Sequence, residues 1–134
     1  MKMLHASCLC GAVKLRLPDS FDYMGNCHCG ECRKFSGSDY ASVGGLDGDK
    51  VEVMQGGDAI ARFQKSEETR LAFCRHCGSS LFSQKLSSGK INLRLGILDD
   101  VPSQQPGFHI FVGSKAPWHR IGDDCPQFET RPSV

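Results

Sequence analysis

The sequence of 134 residues lacks the features of several protein classes. It has no apolar run approaching the roughly 18 residues that a membrane-spanning helix needs, and its first residues contain no apolar stretch typical of a signal peptide. Its 16 basic and 15 acidic side chains leave a formal net charge of +1, which argues against general binding to nucleic acid or to an anionic membrane. It has neither an internal repeat nor a low-complexity linker. We therefore expect a single domain, residues 1–134, in a soluble cytoplasmic protein.

Apolar and polar residues alternate in several short segments, a pattern typical of β-strands with one buried face. These segments are residues 13–17, 51–53, 70–73, 91–97 and 108–112. In the fourth segment, Asn92 and Arg94 take the positions that the alternation assigns to solvent. Turn sequences such as Asp47-Gly48 and Gly56-Gly57 separate the segments, and the only helix that we expect is a turn or two near residues 31–35. The sequence therefore predicts a mainly β fold of antiparallel strands with little helix.

The chain has eight cysteines, and seven of them lie in three groups. The groups are Cys8-Leu9-Cys10, Cys27-His28-Cys29-Gly30-Glu31-Cys32 and Cys74-Arg75-His76-Cys77. In a protein without an export signal, closely spaced cysteines are more often metal ligands than disulfide partners. Cys125 stands alone, and we expect it to be a small buried or half-buried side chain, with a redox role as the alternative.

The first and third groups together offer four thiolates to one ion. These four ligands are Cys8, Cys10, Cys74 and Cys77. Each pair precedes a glycine, Gly11 or Gly78, and a glycine allows the sharp bend that brings both sulfurs to the same metal. Four soft sulfur ligands favour zinc, with iron as the alternative, and exclude magnesium and calcium. The spacing predicts a closed structural site that links the start of the chain to a strand near its middle.

The second group offers three thiolates, from Cys27, Cys29 and Cys32, and leaves a fourth coordination position open. An open position is typical of catalytic zinc. Three thiolates on a divalent cation leave a net charge of about −1, which favours a sulfur ligand over an activated water. We therefore predict a zinc site that binds a small thiol and holds it as a nucleophile. The alternatives are a Cys3His structural centre completed by His28 or a remote histidine, and a metal-free, redox-active triplet.

Four segments of the chain together carry the motifs of one family. They are Cys8–Val13, Cys27–Arg33, Phe73–Gly78 and His109–Trp118. With Pro126-Gln127-Phe128-Glu129 behind them, these motifs closely resemble the glutathione-dependent formaldehyde-activating enzyme family, whose domain is shared with centromere protein V. The resemblance runs over nearly the whole sequence. It implies an Mss4-like fold of antiparallel sheets stapled by zinc.

The resemblance also implies two zinc ions per chain and a function. The structural zinc would be bound by Cys8, Cys10, Cys74 and Cys77, and the catalytic zinc by Cys27, Cys29 and Cys32. The activity would be that of a carbon–sulfur lyase, which condenses formaldehyde with glutathione to S-(hydroxymethyl)glutathione and reverses the reaction. Our candidates for the acid that protonates the new alkoxide are His28, Glu31, His109 and His119. Our candidates for binding the glutathione carboxylates are Arg33, Lys34, Lys115 and Arg120.

Two other functions are compatible with these residues. The first is a non-catalytic zinc-binding interaction module of the same fold. The second is a thiol reductase similar to methionine sulfoxide reductase B, with Cys125 as the nucleophile, although such enzymes use two Cys-x-x-Cys pairs and this chain begins with Cys-x-Cys. Trp118, the single tryptophan, can wall a ligand pocket, but packing against the sheet edge is the interpretation that we favour.

Overall fold

The computed structural model describes residues 2–132, which form mainly β-strands. The strands are β1 (Met3–Ser7), β2 (Lys14–Pro18), β3 (Tyr23–Cys27), β4 (Ala41–Asp47), β5 (Glu52–Gln55), β6 (Ile60–Gln64), β7 (Thr69–Cys74), β8 (Ser80–Lys85), β9 (Lys90–Arg94) and β10 (His109–Ile110). The α-helix of this part of the chain is α1 (Gly30–Ser36), and short 3-10 turns cover Gly48–Lys50, Gly57–Ala59, Leu95–Ile97 and Val112–Ser114. The predicted mainly β fold with little helix is confirmed. Of the predicted domain, Met1, Ser133 and Val134 lie outside the described residues.

The strands form two sheets. The smaller sheet has the order β1-β2-β5, and the larger has the order β10-β3-β4-β9-β8-β7-β6. The named strand pairs are antiparallel except β10 with β3, which is parallel and aligns Ile110 with Cys27. The predicted antiparallel arrangement is therefore wrong at this one edge, because the chain returns there through a long connection after β9. This edge holds β10 against the end of β3 that carries a predicted metal ligand.

The core is built from the buried faces of both sheets. In β2, Leu15 and Leu17 are buried and Lys14 is exposed, as the alternation predicts. In β9, Leu93 is buried in the same core. The prediction for Arg94 is wrong, because this side chain is only 7% exposed.

The short helix α1 has well-defined ends. Its N-cap is Cys29, whose sulfur accepts a hydrogen bond of 3.3 Å from the backbone N–H of Cys32. Gly37 ends the helix in the left-handed conformation, with φ of +64°, and its N–H donates to the carbonyl of Arg33. The helix predicted near residues 31–35 is therefore confirmed, and both ends of its first turn carry cysteines. Among the helices of residues 2–132, none combines the length and apolar character needed to cross a bilayer.

Candidate metal centres

The four sulfurs of the first and third cysteine groups come together in space. The Sγ atoms of Cys8, Cys10, Cys74 and Cys77 all lie within 4.8 Å of one another. The Sγ of Cys10 is 3.7 Å from that of Cys8 and 3.8 Å from that of Cys74. Zn–S bonds of about 2.3 Å in a tetrahedral site place the sulfurs about 3.8 Å apart. The donor set and its spacing therefore fit a four-coordinate zinc ion with no position left for a substrate.

Local hydrogen bonds hold the sulfurs of this quartet in place. Gly11 has a φ of +80°, so the bend predicted after the first pair is present, and the N–H of Val13 donates to the Sγ of Cys8 at 3.2 Å. The hydroxyl of Ser79 lies 3.2 Å from the Sγ of Cys77. This contact, helped by backbone N–H groups, lowers the pKa of Cys77 to about 5. A thiolate forms readily at that position, as a metal ligand requires.

The three cysteines of the middle group form a second cluster. Cys27 is the last residue of β3, Cys29 is the N-cap of α1, and Cys32 lies in the first turn of that helix. Their sulfurs lie within 4.8 Å of one another, with Cys27 buried and the other two half-buried. The change from strand to helix over six residues therefore directs all three sulfurs to one point.

This triplet has no fourth side-chain ligand within residues 2–132. No histidine, carboxylate or further cysteine of the described chain joins the three sulfurs within 4.8 Å. His28, the nearest residue in sequence, places its Nε2 atom 2.8 Å from the Nδ1 atom of His109 instead. The arrangement thus differs from the Cys3His centre that we considered, because the described residues offer three ligands at this cluster.

The three thiols of the triplet compete for protons. Contacts with the thiols of Cys27 and Cys32 lower the pKa of Cys29 far below its ordinary value, and backbone N–H groups at the helix start add to this effect. The same contacts, with burial, raise the pKa of Cys32. One thiolate forms easily, while further ionisation is opposed by the repulsion between adjacent negative charges. A thiophilic divalent cation would remove that repulsion, so the donor set fits zinc.

A chain of hydrogen bonds lies next to the triplet. His28 is fully buried, and His109, to which it is bonded, places its Nε2 atom 3.0 Å from a carboxylate oxygen of Asp123. Burial and the neighbouring His109, His119 and Lys115 lower the pKa of His28 to about 4. The Asp123 carboxylate accepts a hydrogen bond from the Nε2–H of His109. In the tautomer that leaves the Nδ1 of His109 unprotonated, that atom accepts from the Nε2–H of His28. The Nδ1 of His28 then carries a lone pair, and it has no partner in the described part of the chain.

His119 connects this buried group to solvent. Its ring centroid lies 5.8 Å from that of His28 and 5.1 Å from that of Tyr40, which in turn lies 5.1 Å from His28. The Nδ1 of His119 is 3.6 Å from a carboxylate oxygen of Asp39, and its side chain is 21% exposed. His119 is thus the partly accessible member of a ring cluster that includes His28, the residue between Cys27 and Cys29 in the sequence. Sequence reasoning missed Tyr40, Asp39 and Asp123, because single residues in loops carry no spacing signal.

The remaining candidates are Glu31, predicted as a proton donor, and Lys115 and Arg120, predicted to bind carboxylates. Glu31 is exposed and pairs with Lys65 at 2.5 Å. Lys115 donates from Nζ to the backbone carbonyl of His119 at 2.6 Å, so it braces the loop around that histidine. Arg120 is exposed. These contacts leave Glu31 and Lys115 with structural partners of their own.

Trp118 lies at the surface. Its side chain is 69% exposed and donates from Nε1 to Asp39 at 2.8 Å, so the favoured prediction of packing against the sheet edge is wrong. With Arg33 and Lys34 it borders a shallow, open depression of the surface beside the end of α1. The alternative prediction, in which Trp118 walls a pocket, agrees with this position.

Cys125 is half-buried, as expected for a lone thiol. Its Sγ lies 3.9 Å from the carbonyl of Pro106. Burial and the carboxylates of Asp123 and Asp124 raise the pKa of Cys125 above its ordinary value. A thiol with a raised pKa is a poor nucleophile, which argues against the reductase alternative.

Comparisons with known proteins agree with this description. The chain matches the family model described as glutathione-dependent formaldehyde-activating enzyme over residues 3–114. It is 27% identical over 128 residues to a curated Halomonas elongata protein that is provisionally named a glutathione-dependent formaldehyde-activating enzyme, with 89% of this chain and 81% of the relative covered. The crystal structure of a Rhodobacter sphaeroides protein has a similar fold, with a TM-score of 0.60 and 24% identity over 74% of this chain and 91% of that one. The chain belongs to the glutathione-dependent formaldehyde-activating enzyme family.

Proposed function

We propose that this chain is a zinc-dependent carbon–sulfur lyase that forms and cleaves S-(hydroxymethyl)glutathione. The observation that carries the proposal is a cluster of three thiols with no fourth ligand among the described residues, beside a second cluster that is complete with four. The family membership and the name of the Halomonas elongata relative support glutathione and formaldehyde as the substrates. We propose further that residues 1–134 act as one cytoplasmic domain, where glutathione is kept reduced.

Each cluster has its own proposed role. Cys8, Cys10, Cys74 and Cys77 would hold the structural zinc. Cys27, Cys29 and Cys32 would hold the catalytic one. When bound by three thiolates, zinc would supply an open coordination position and lower the pKa of a thiol placed there.

The reaction requires the protein to transfer one proton. In the forward direction a C–S bond forms between the thiol and the carbonyl carbon, and the π-electron pair of the C=O bond moves to oxygen. The proton lost by the thiol is balanced by the proton gained by that oxygen, and there is no net oxidation. A side chain that donates this proton must reach the substrate, so it must lie close to the triplet and be accessible.

We assign the proton transfer to His119. His28 and His109 are fully or almost fully buried, and Glu31 is paired with Lys65 on the surface. His119 is partly exposed and packs against His28, the residue between two of the triplet cysteines. Asp39, 3.6 Å from its Nδ1 atom, would orient the ring so that the Nε2 atom faces the substrate.

Exchange spectroscopy by NMR on an equilibrium mixture of formaldehyde and glutathione tests the proposed reaction, because the uncatalysed condensation hides slow turnover in ordinary assays. We expect the zinc-loaded protein to accelerate exchange and Cys29→Ser to abolish the acceleration. Cys125→Ser is the matched control and should exchange like the wild type, since Cys125 lies outside both clusters. Equal rates for the wild type and Cys29→Ser would show that the proposed reaction is wrong and would favour the non-catalytic module.

The same assay tests the role of His119. His119→Asn removes the proton donor and should slow exchange by roughly 10²-fold, the lower end of the range for general acid catalysis. His5→Asn is the control. His5 is an exposed histidine on β1 of the smaller sheet, and it pairs with Asp100. An unchanged rate in His119→Asn would remove this residue from the mechanism without affecting the assignment of the triplet.

A further inference from the structure

Arg94 is a buried cation without an anionic partner of its own. It is the last residue of β9 and only 7% exposed. None of the ion pairs found within residues 2–132 includes it. Its Nη1 donates to the carbonyl of Asn92 at 3.2 Å, its guanidinium lies 5.1 Å from the centre of the Phe35 ring, and its Nε has no partner in the described chain. Burial of an uncompensated charge is costly. A negative charge near this guanidinium would reduce that cost.

The two elements that carry the cysteine triplet, β3 and α1, approach Arg94 from two sides. Residues Gly25, Val43 and Arg94 form one row across β3, β4 and β9. Cys27 lies two residues beyond Gly25 in β3, so its side chain points to the same face of the sheet as that of Arg94. From above, α1 contributes Phe35, which stacks on the guanidinium and lies on the same helix face as Cys32, three residues earlier.

The electrostatics of Arg94 agree with this placement. Burial lowers the pKa of the guanidinium, whereas the charges of Cys32, Cys27 and Cys29 raise it. No carboxylate is involved in that balance. This balance agrees with the geometry, which places the triplet beside Arg94.

Charge counting then gives Arg94 a role in the proposed metal centre. Three thiolates and a divalent ion carry a net charge of about −1, and one guanidinium brings the buried group to neutrality. We propose that Arg94 is the counter-cation of the Cys27, Cys29 and Cys32 centre and raises its affinity for a divalent metal ion. This inference rests on the metal centre of the proposed function. It makes Arg94 a positioning residue, which acts through the charge of the centre.

Zinc affinity measured by competition with a chromophoric chelator tests this proposal, and the four-sulfur cluster in the same chain is the internal control. Arg94→Gln should weaken zinc binding at the triplet by roughly 10- to 100-fold, the usual effect of removing a partner behind a metal ligand. Binding at the quartet should stay within about 2-fold of the wild type. Arg94→Lys keeps the charge and should recover most of the lost affinity. Arg62→Gln, on the exposed edge strand β6 at the far end of the larger sheet, should bind zinc like the wild type.

Three results would overturn the proposal. Wild-type affinity at the triplet in Arg94→Gln would show that the charge has no role there. Equal weakening at both clusters would indicate a general loss of packing. Unchanged zinc affinity with a raised KM for glutathione would assign Arg94 to a substrate carboxylate in the groove of about 1510 Å³ that it borders. Because the readout is metal affinity, a protein that binds two zinc ions without catalysis would contradict the proposed function and leave this inference standing.

Discussion

A Cys10→Ser substitution isolates the contribution of the four-sulfur cluster to stability. Cys10 is the exposed member of that cluster, so its replacement leaves the core packing intact. A substitution at an exposed position changes the free energy of unfolding by about 0.5 kcal/mol or less when no special interaction is lost. Any larger loss in zinc-loaded protein therefore measures how far the loss of this ligand weakens the metal link between the two chain segments.

The size of this loss follows from the length of chain that the cluster closes. Cys10 and Cys74 are 64 residues apart in sequence. A link between them restricts the unfolded chain, and the loop-closure relation gives about 4 kcal/mol for a loop of this length. Small domains have a total stability of about 5–15 kcal/mol, so complete loss of the link would remove a large part of it. Cys8, Cys74 and Cys77 remain in Cys10→Ser, so about 4 kcal/mol is the upper limit of the loss in this variant.

Urea-induced unfolding of the zinc-loaded proteins, followed by circular dichroism, measures this difference. Leu9→Ser is the matched control, because Leu9 is the neighbouring residue and is 88% exposed. We expect Cys10→Ser to lose more stability than Leu9→Ser, up to about 4 kcal/mol if the remaining three sulfurs release the ion. Leu9→Ser should lose about 0.5 kcal/mol or less. If the two variants unfold at the same urea concentration, Cys10 contributes nothing to the link between β7 and the start of the chain, and the four-sulfur assignment is refuted.

Two further predictions concern packing and pH. In Gly44→Ala the new Cβ would lie 2.5 Å from the ring of the buried Phe21, so we expect a loss of about 1–3 kcal/mol in the same urea assay. Gly96→Ala, with open space around it, should be close to neutral, and equal stability of the two variants would contradict the packing described. The contact with His109 lowers the pKa of Asp123 below its ordinary value of 3.8, so its stabilising effect is present above that pH and is lost as the pH falls through the lower pKa of the folded state. The difference in Tm between wild type and Asp123→Asn should therefore shrink as the pH falls below 3.8, and a difference that persists unchanged in acid would argue against this contact.

Alternation of apolar and polar residues predicted β2, a strand with one face in the core. Leu15 and Leu17 alternate with polar residues because β2 has one wet face. The sequence analysis did not predict β3 and β4, because glycines interrupt the alternation of apolar and polar residues in these strands. A Cβ on Gly25 would lie 2.2 Å from the Phe108 ring, and one on Gly44 would lie 2.5 Å from the Phe21 ring. These glycines make room for aromatic rings from elsewhere in the chain, and no local pattern reveals such a contact.

The site was predictable where its residues are close in sequence. The spacing of Cys27, Cys29 and Cys32 predicted their cluster, because a strand end and a helix start bring them together locally. Arg94 was assigned to solvent, since a period of two gives each strand one wet face. In the structure α1 covers that face with Phe35, so the polar position is buried. The alternation of apolar and polar residues along a strand does not reveal a tertiary contact of this kind.

Visible absorption of the chain loaded with cobalt(II) tests most directly whether the triplet accepts an external sulfur. Thiolate-to-cobalt absorption increases with the number of sulfur ligands, so the spectrum reports a fourth sulfur that joins the triplet. The account predicts two metal ions per chain and a rise in this absorption when glutathione is added, with no rise in Cys29→Ser. A chain that binds one ion, or a spectrum that glutathione leaves unchanged, would contradict it.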